Sequence, residues 1–150
     1  MNPFLKIHIL FSSLSYLAFV LAFVSGGVFL WMERRLKHKH LPKVGRFGWS
    51  LESIDRLNAR TLTSGFILLT LGILSGVLAT HQRFGKFFVG DPSEVWTITS
   101  WLIYAAIVAV RGTCTLRGRK IMLLAMLAFG MVVFTLIGVS SFFKGLHQVF

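Results

Sequence analysis

Four long stretches of this sequence carry no charged residue, and the segments between them are crowded with lysine and arginine. The stretches cover residues 9–32, 62–80, 95–110 and 121–143. A helix that crosses a bilayer needs about 20 mostly apolar residues. The third stretch reaches that length only with the aromatics at its start set in the membrane interface. The pattern predicts an all-α integral membrane protein, a four-helix bundle forming a single domain. Composition agrees: 55% of the 150 residues are hydrophobic and 14% are charged. A soluble domain has roughly 45–50% and 25%.

The basic residues set the orientation. Twelve of the 16 Lys and Arg lie in two segments, between stretches one and two (Arg34, Arg35, Lys37, Lys39, Lys43, Arg46, Arg56, Arg60) and between stretches three and four (Arg111, Arg117, Arg119, Lys120). The rest are Lys6, Arg83, Lys86 and Lys144. Cytoplasmic loops carry the Lys/Arg excess. Both termini and the loop 81–94 are therefore expected on the outer side of a bacterial inner (plasma) membrane. A net charge of +11 interleaved with membrane spans reads as topology and lipid contact, with no nucleic acid as partner. The first stretch is read as a retained span and not a cleaved signal, because Glu33-Arg34-Arg35 follows it as a stop-transfer pattern. The single cysteine, Cys114, is expected on the reducing cytoplasmic side.

Segment 33–61 is expected to be a cytoplasmic loop holding a surface helix. Ser50 would cap that helix and Glu52 would sit in its first turn. Leu51, Ile54 and Leu57 would form an apolar face lying on the membrane. His38 and His40 lack a nearby third ligand, and their run reads as a basic turn. Gly72 and Gly76 form a GxxxG in the second stretch, with Gly26, Gly27, Gly130 and Gly138 in others. Small residues let helices approach closely in lipid.

The chemistry-bearing residues gather at the outer end. His8, His81 and His147 lie there, with Asp91 and Glu94 in a loop shared with Phe84, Phe87, Phe88 and Trp96. Two neutral imidazoles from different helices suit the iron of a flat porphyrin. The same residues also suit an ordinary interfacial belt of aromatic and amphipathic side chains. Catalytic triads, phosphate-binding glycine loops and intramembrane charges are missing from the pattern, and no catalytic residue is assigned. A secondary transporter is disfavoured, since such proteins use broken helices and buried charge.

The stretch FGKFFVGDPSEVW, residues 84–96, resembles the tryptophan-rich WWD segment of the cytochrome c assembly family, the group of CcsA, ResC, CcmC and HemX-like proteins. Gly85, Asp91, Pro92, Glu94, Trp96 and Trp101 match its pattern in register. Other family motifs follow in the same order. His8 with Leu14-Ser15-Tyr16 is similar to the opening HVxxxxLSY helix. Glu33-Arg34-Arg35-Leu36-Lys37 resembles an ERxLK stop, and residues 50–57 resemble an SLExLDRL helix. Residues 129–147 resemble the closing segment that ends in GLH. The likeness covers nearly the whole chain and corresponds to the last four spans of longer members.

The resemblance implies haem handling at the outer membrane face during maturation of c-type cytochromes. It implies His8 and His147 as axial ligands of the iron of a transiently bound haem b. It implies Trp96, Trp101, Asp91, Phe84 and Phe88 as residues of the loop that lies over the haem. The partners it implies are haem, apocytochrome c, the lipid bilayer and a second membrane assembly subunit of the ResB/CcsB kind. Any enzymatic role is at most that of one subunit in a haem-attachment (synthetase or lyase-type) system. There are departures: three tryptophans of the pattern are Phe84, Phe88 and Gly90, its Lys is Ser93, its Thr is Val95, and a closing Asn is Ser140. They motivate an alternative, a HemX-like accessory or regulatory membrane protein that binds no haem and uses its basic loop as a partner surface.

Overall fold

A computed structural model describes residues 3–37, 50–87, 90, 92–113 and 118–146; of residues 92, 93 and 135–146 it describes the backbone. The described residues form four helices: α1 (Pro3–Lys37), α2 (Leu51–Phe84), α3 (Pro92–Gly112) and α4 (Arg119–Leu146). Helices are what an apolar chain in hydrocarbon must form, because every backbone N–H and C=O needs a partner within the segment. Pro3–Lys37, Leu51–Phe84 and Glu94–Gly112 are long and apolar enough to cross a membrane. Large apolar side chains such as Leu10, Leu17, Leu21, Leu74 and Leu127 point outward. With lipid as solvent that is the expected arrangement, and the chain is a multi-pass membrane protein.

Each helix packs against its neighbour in sequence, and α1 also packs against α4. The seam between α1 and α2 is the most extensive. The two run antiparallel, and three hydrogen bonds recur along them at heptad spacing. His8 Nδ1 lies 2.7 Å from Gly72 O. Ser15 Oγ donates to Gly65 O at 3.1 Å. Asn58 Nδ2 donates to Ala22 O at 2.7 Å. Positions 8, 15 and 22 thus face 72, 65 and 58. A seven-residue repeat keeps one stripe of each helix toward the other. The stripe on α2 is small where backbones meet. A Cβ on Gly65 would stand 2.8 Å from the Phe19 ring, and one on Gly72 would stand 3.1 Å from Ser12 Oγ.

At the end of the seam away from His8, Asn58 is fully buried and joins three helices. Its Nδ2 also donates to Ser25 Oγ at 3.1 Å, and its Oδ1 accepts from Arg111 Nη1 at 3.0 Å. Arg111 Nη2 donates to Asp55 Oδ1 and to Asp55 O, each at 2.7 Å. The Arg111 side chain is only 12% exposed. A charge so enclosed persists because each side of the pair is matched by hydrogen bonds. In the middle of the bundle Phe19 of α1 stacks on Tyr104 of α3, with centroids 3.8 Å apart. Phe23 meets Phe129 of α4 at 5.0 Å, and Phe29 lies opposite Gly118. So α4 runs antiparallel to α1, and its C-terminal end returns to the end that holds His8.

One sequence expectation is changed. The helix over residues 50–60 does not lie apart from the second span; it is the first three turns of α2. Ser50 does cap it, with Oγ accepting from Ser53 N–H at 3.1 Å, and Glu52 pairs with Arg56 at 2.6 Å. What continues is the buried stripe: Ile54, Asn58, Leu62 and Gly65 follow one another on the face toward α1. The charged residues occupy the other faces, and they made this segment read as a separate surface element.

Gly65→Ala is expected to destabilise the bundle by about 1–3 kcal/mol, the usual cost of overpacking a tight contact. Gly27→Ala, where a Cβ meets nothing within 4 Å, is expected to be neutral or slightly stabilising. Unfolding in mixed detergent micelles, followed by circular dichroism, measures both.

Candidate functional site

The end of the bundle where α1 begins and α2 finishes is built from a few short-range devices. Gly85 ends α2 in the left-handed conformation, φ 67°, and its N–H donates to His81 O at 2.8 Å. Glycine takes this conformation without Cβ strain. The chain then turns toward α3, where Pro92 occupies the first turn and has no N–H to satisfy. Glu94 reaches back, and its carboxylate accepts from Gly90 N–H at 3.0 Å. That contact ties Gly90 to the first turn of α3. Gly90 itself has φ 82°. The residue that stands where the family pattern has a tryptophan therefore adopts a conformation that L side chains rarely take.

His8 lies in the second turn of α1 and is half-buried. Its Nδ1 lies 2.7 Å from Gly72 O. A carbonyl can only accept, so Nδ1 carries the proton. In the neutral ring Nε2 then holds the lone pair that a metal requires. Ser75 Oγ shares its one proton between the same carbonyl at 2.9 Å and Leu71 O at 2.8 Å. His81 sits one and a half turns beyond Gly76, and its ring stacks on Phe87 at 4.0 Å with 3° between planes. Phe84 is exposed, with the Arg83 guanidinium 5.5 Å from its ring centroid. Phe87 is also exposed.

The other residues singled out from sequence fall elsewhere. Trp96 is in the second turn of α3 and 36% exposed. Trp101 is turned into the seam between α2 and α3. Its Nε1–H donates to Thr70 Oγ1 at 2.9 Å, and its ring tilts against Phe66 at 5.6 Å. Thr70 and Gly72 are roughly 200° apart around α2 at 3.6 residues per turn, so Trp101 and His8 contact different faces of that helix. His147, Asp91 and Phe88 lie outside the described residues, as do Cys114, His38 and His40. No group of three or more His, Cys, Asp or Glu is gathered for a metal among the described residues. An axial haem site does not need one, since two imidazoles suffice.

Two features escaped the sequence reading. The GxxxG of α2 is visible as a packing motif, but nothing in it says that a histidine fills the space. Arg111 counts as a loop cation in sequence, yet it is the donor that ties α3 to Asn58 and Asp55.

The fold and this end of the bundle define a class: a multi-pass helical membrane protein with an imidazole and exposed aromatic residues at one end. The model of the family "Cytochrome C assembly protein" matches residues 1–147, and the chain belongs to that family. It is 42% identical over 98 residues to the cytochrome c biogenesis protein CcsA of Pyropia yezoensis, covering 65% of this chain and 31% of that protein. It is 41% identical over 97 residues to the CcsA of Thermosynechococcus vestitus, covering 65% and 30%. To the CcsA of Prochlorococcus marinus (strain NATL1A) it is 38% identical over 97 residues, covering 65% and 31%. The match thus spans about a third of the length of these relatives. No solved structure matches the chain. The relatives it matches are named for a part in cytochrome c biogenesis.

The Trp101–Thr70 contact is expected to be structural. Trp101→Phe and Thr70→Val should each cost about 0.5–1.5 kcal/mol of bundle stability. The double variant should cost less than their sum, which a thermodynamic cycle in detergent measures.

Proposed function

We propose that the chain is a haem-handling membrane subunit of c-type cytochrome biogenesis, holding haem as cargo at the outer membrane face. The observation that carries this reading is the state of His8. Its Nδ1–H is engaged by a backbone carbonyl, which leaves Nε2 as the coordinating nitrogen. Metal-bound histidines characteristically donate their other ring N–H to a carboxylate, carbonyl or water. The donor chemistry therefore fits an iron porphyrin. His147 is the proposed second ligand, and α4 returns toward the His8 end.

The remaining residues have definite tasks in this scheme. Phe84 and Trp96, with Phe88 and Asp91, belong to the segment proposed to lie over the ring and exclude water from one side. Phe can stack on a porphyrin as tryptophan does, without an indole donor. Trp101 supports this segment from below by fixing the middle of α3 against α2. When bound, the haem supplies vinyl groups that are joined to reduced cysteines of the apocytochrome. The protein's part is to hold and orient. The skew of basic residues supports an outward-facing haem end, in a bacterial plasma membrane or its plastid counterpart. A further membrane subunit is the proposed partner, with apocytochrome c as acceptor.

Visible spectra of the chain purified in mild detergent, with and without added haemin, test this reading. A low-spin bis-histidine spectrum is expected, lost in both His8→Ala and His147→Ala. If no haem is held, alone or with a co-expressed partner subunit, the reading is overturned. The alternative is then a HemX-like scaffold acting through its basic loop, an alternative that the phenylalanines and glycine at tryptophan positions favour.

A further inference from the structure

The strongest unclaimed feature of the bundle is the pocket that α2 offers to His8. Gly72 and Gly76 are one turn apart on the face toward α1. A Cβ on Gly76 would stand 2.8 Å from His8 Nδ1, 3.0 Å from Cε1 and 3.6 Å from Cγ. Side chains do not approach that closely, so any residue but glycine at 76 pushes the imidazole aside. The displaced ring would have to leave Gly72 O, which it meets at 2.7 Å. Gly72 has the same relation to α1 one turn down, where Ser12 fills the space. The GxxxG is thus more than a place where two backbones meet. One glycine provides the acceptor, and the next provides the clearance.

We infer that Gly76 is a positioning residue for the proposed haem ligand: by lacking a side chain it lets His8 lie flat on α2 with Nδ1–H on Gly72 O, which sets both the tautomer and the direction of Nε2. The inference rests on the haem reading for its consequence, but not for its geometry. Two features of the surroundings favour a role for this pocket beyond packing. The hydrogen bond is the terminal rung of the heptad ladder, so the ring is tied to the register of the whole seam. Gly72 O also lies 2.9 Å from Ser75 Oγ, a buried hydroxyl whose one proton is shared with Leu71 O at 2.8 Å. An imidazole fixed in this way does not have to be oriented when iron arrives. Partners in this outer shell commonly change metal affinity by about 10- to 100-fold.

The test has one arm without haem and one with it. In the haem-free full chain labelled with 15N-histidine, His8 is expected as the Nδ1–H tautomer in detergent at neutral pH. In Gly76→Ala it is expected to revert toward the Nε2–H form that free histidine prefers. Gly130→Ala is the control, because a Cβ there meets nothing within 4 Å. In the haemin-loaded arm, Gly76→Ala is expected to bind about 10- to 100-fold more weakly. It should show a shifted midpoint potential, with its low-spin spectrum recovered by free imidazole. An Nε2–H tautomer for His8 in the unaltered chain overturns the proposal, and this needs no variant to fold. So does a Gly76→Ala chain with unchanged tautomer, haem affinity and potential. Loss of haem binding in every sample, with the Nδ1–H tautomer intact, instead overturns the haem reading and leaves the positioning geometry standing.

Discussion

The close approach of α1 and α2 is the constraint on which the rest of the bundle depends. In lipid, helices gain little from hiding apolar surface, since the surrounding tails are equally apolar; packing and interhelical hydrogen bonds must hold them. This seam uses both. Gly65, Gly72 and Gly76 remove side chains where α1 needs room. His8, Ser15 and Asn58 each cross the gap to a backbone carbonyl. Neither device works alone. Without the glycines the donors could not reach, and without the donors the small residues would expose polar backbone to no purpose.

The two ends of the seam are unequal. At one, Asn58, Asp55 and Arg111 form a closed polar cluster that draws α3 onto α2. Asn58 uses both its amide nitrogen and its oxygen there and Arg111 donates three hydrogen bonds, and the cluster suits a structural anchor. At the other, His8 uses one ring nitrogen in the seam, and the second lies outside that hydrogen bond. The exposed rings of Phe84 and Phe87 lie at that end, after the glycine-terminated close of α2. The contrast between a closed polar cluster and an end where one imidazole nitrogen lies outside the seam is the physical basis for putting the proposed haem site beside His8.

Much of this was legible in the sequence, and the limits have physical causes. The helices follow from uncharged runs, and they extend beyond those runs because helical backbone does not stop at the first charge. Ser50 announces its cap. The break expected near residue 61 failed because Arg56 and Arg60 look like loop charge until the stripe Ile54, Asn58, Leu62, Gly65 is read at a seven-residue repeat with positions on α1. Asn58 and Arg111 were missed for the same reason: their meaning lies in a partner 53 residues away, and no local pattern encodes that. His8 was found as a candidate, but its tautomer depends on a carbonyl 64 residues distant. The family motif marked the aromatic segment, while the structure separates Trp101, packed on Thr70, from the face of α2 that holds His8.

The register of α1 on α2 is the claim that everything else inherits, and disulfide trapping in native membranes measures it most directly. In a Cys114→Ser background, Ser12→Cys paired with Gly72→Cys puts two thiols where the seam brings the chains together. A Cβ at 72 stands 3.1 Å from Ser12 Oγ, within reach of a disulfide. Ser12→Cys paired with Leu74→Cys puts the second thiol on an outward face, since Leu74 is 57% exposed. Rapid cross-linking of the first pair and none of the second is the predicted result. Equal trapping of both pairs, or failure of the first, would contradict the register and with it the seat of His8.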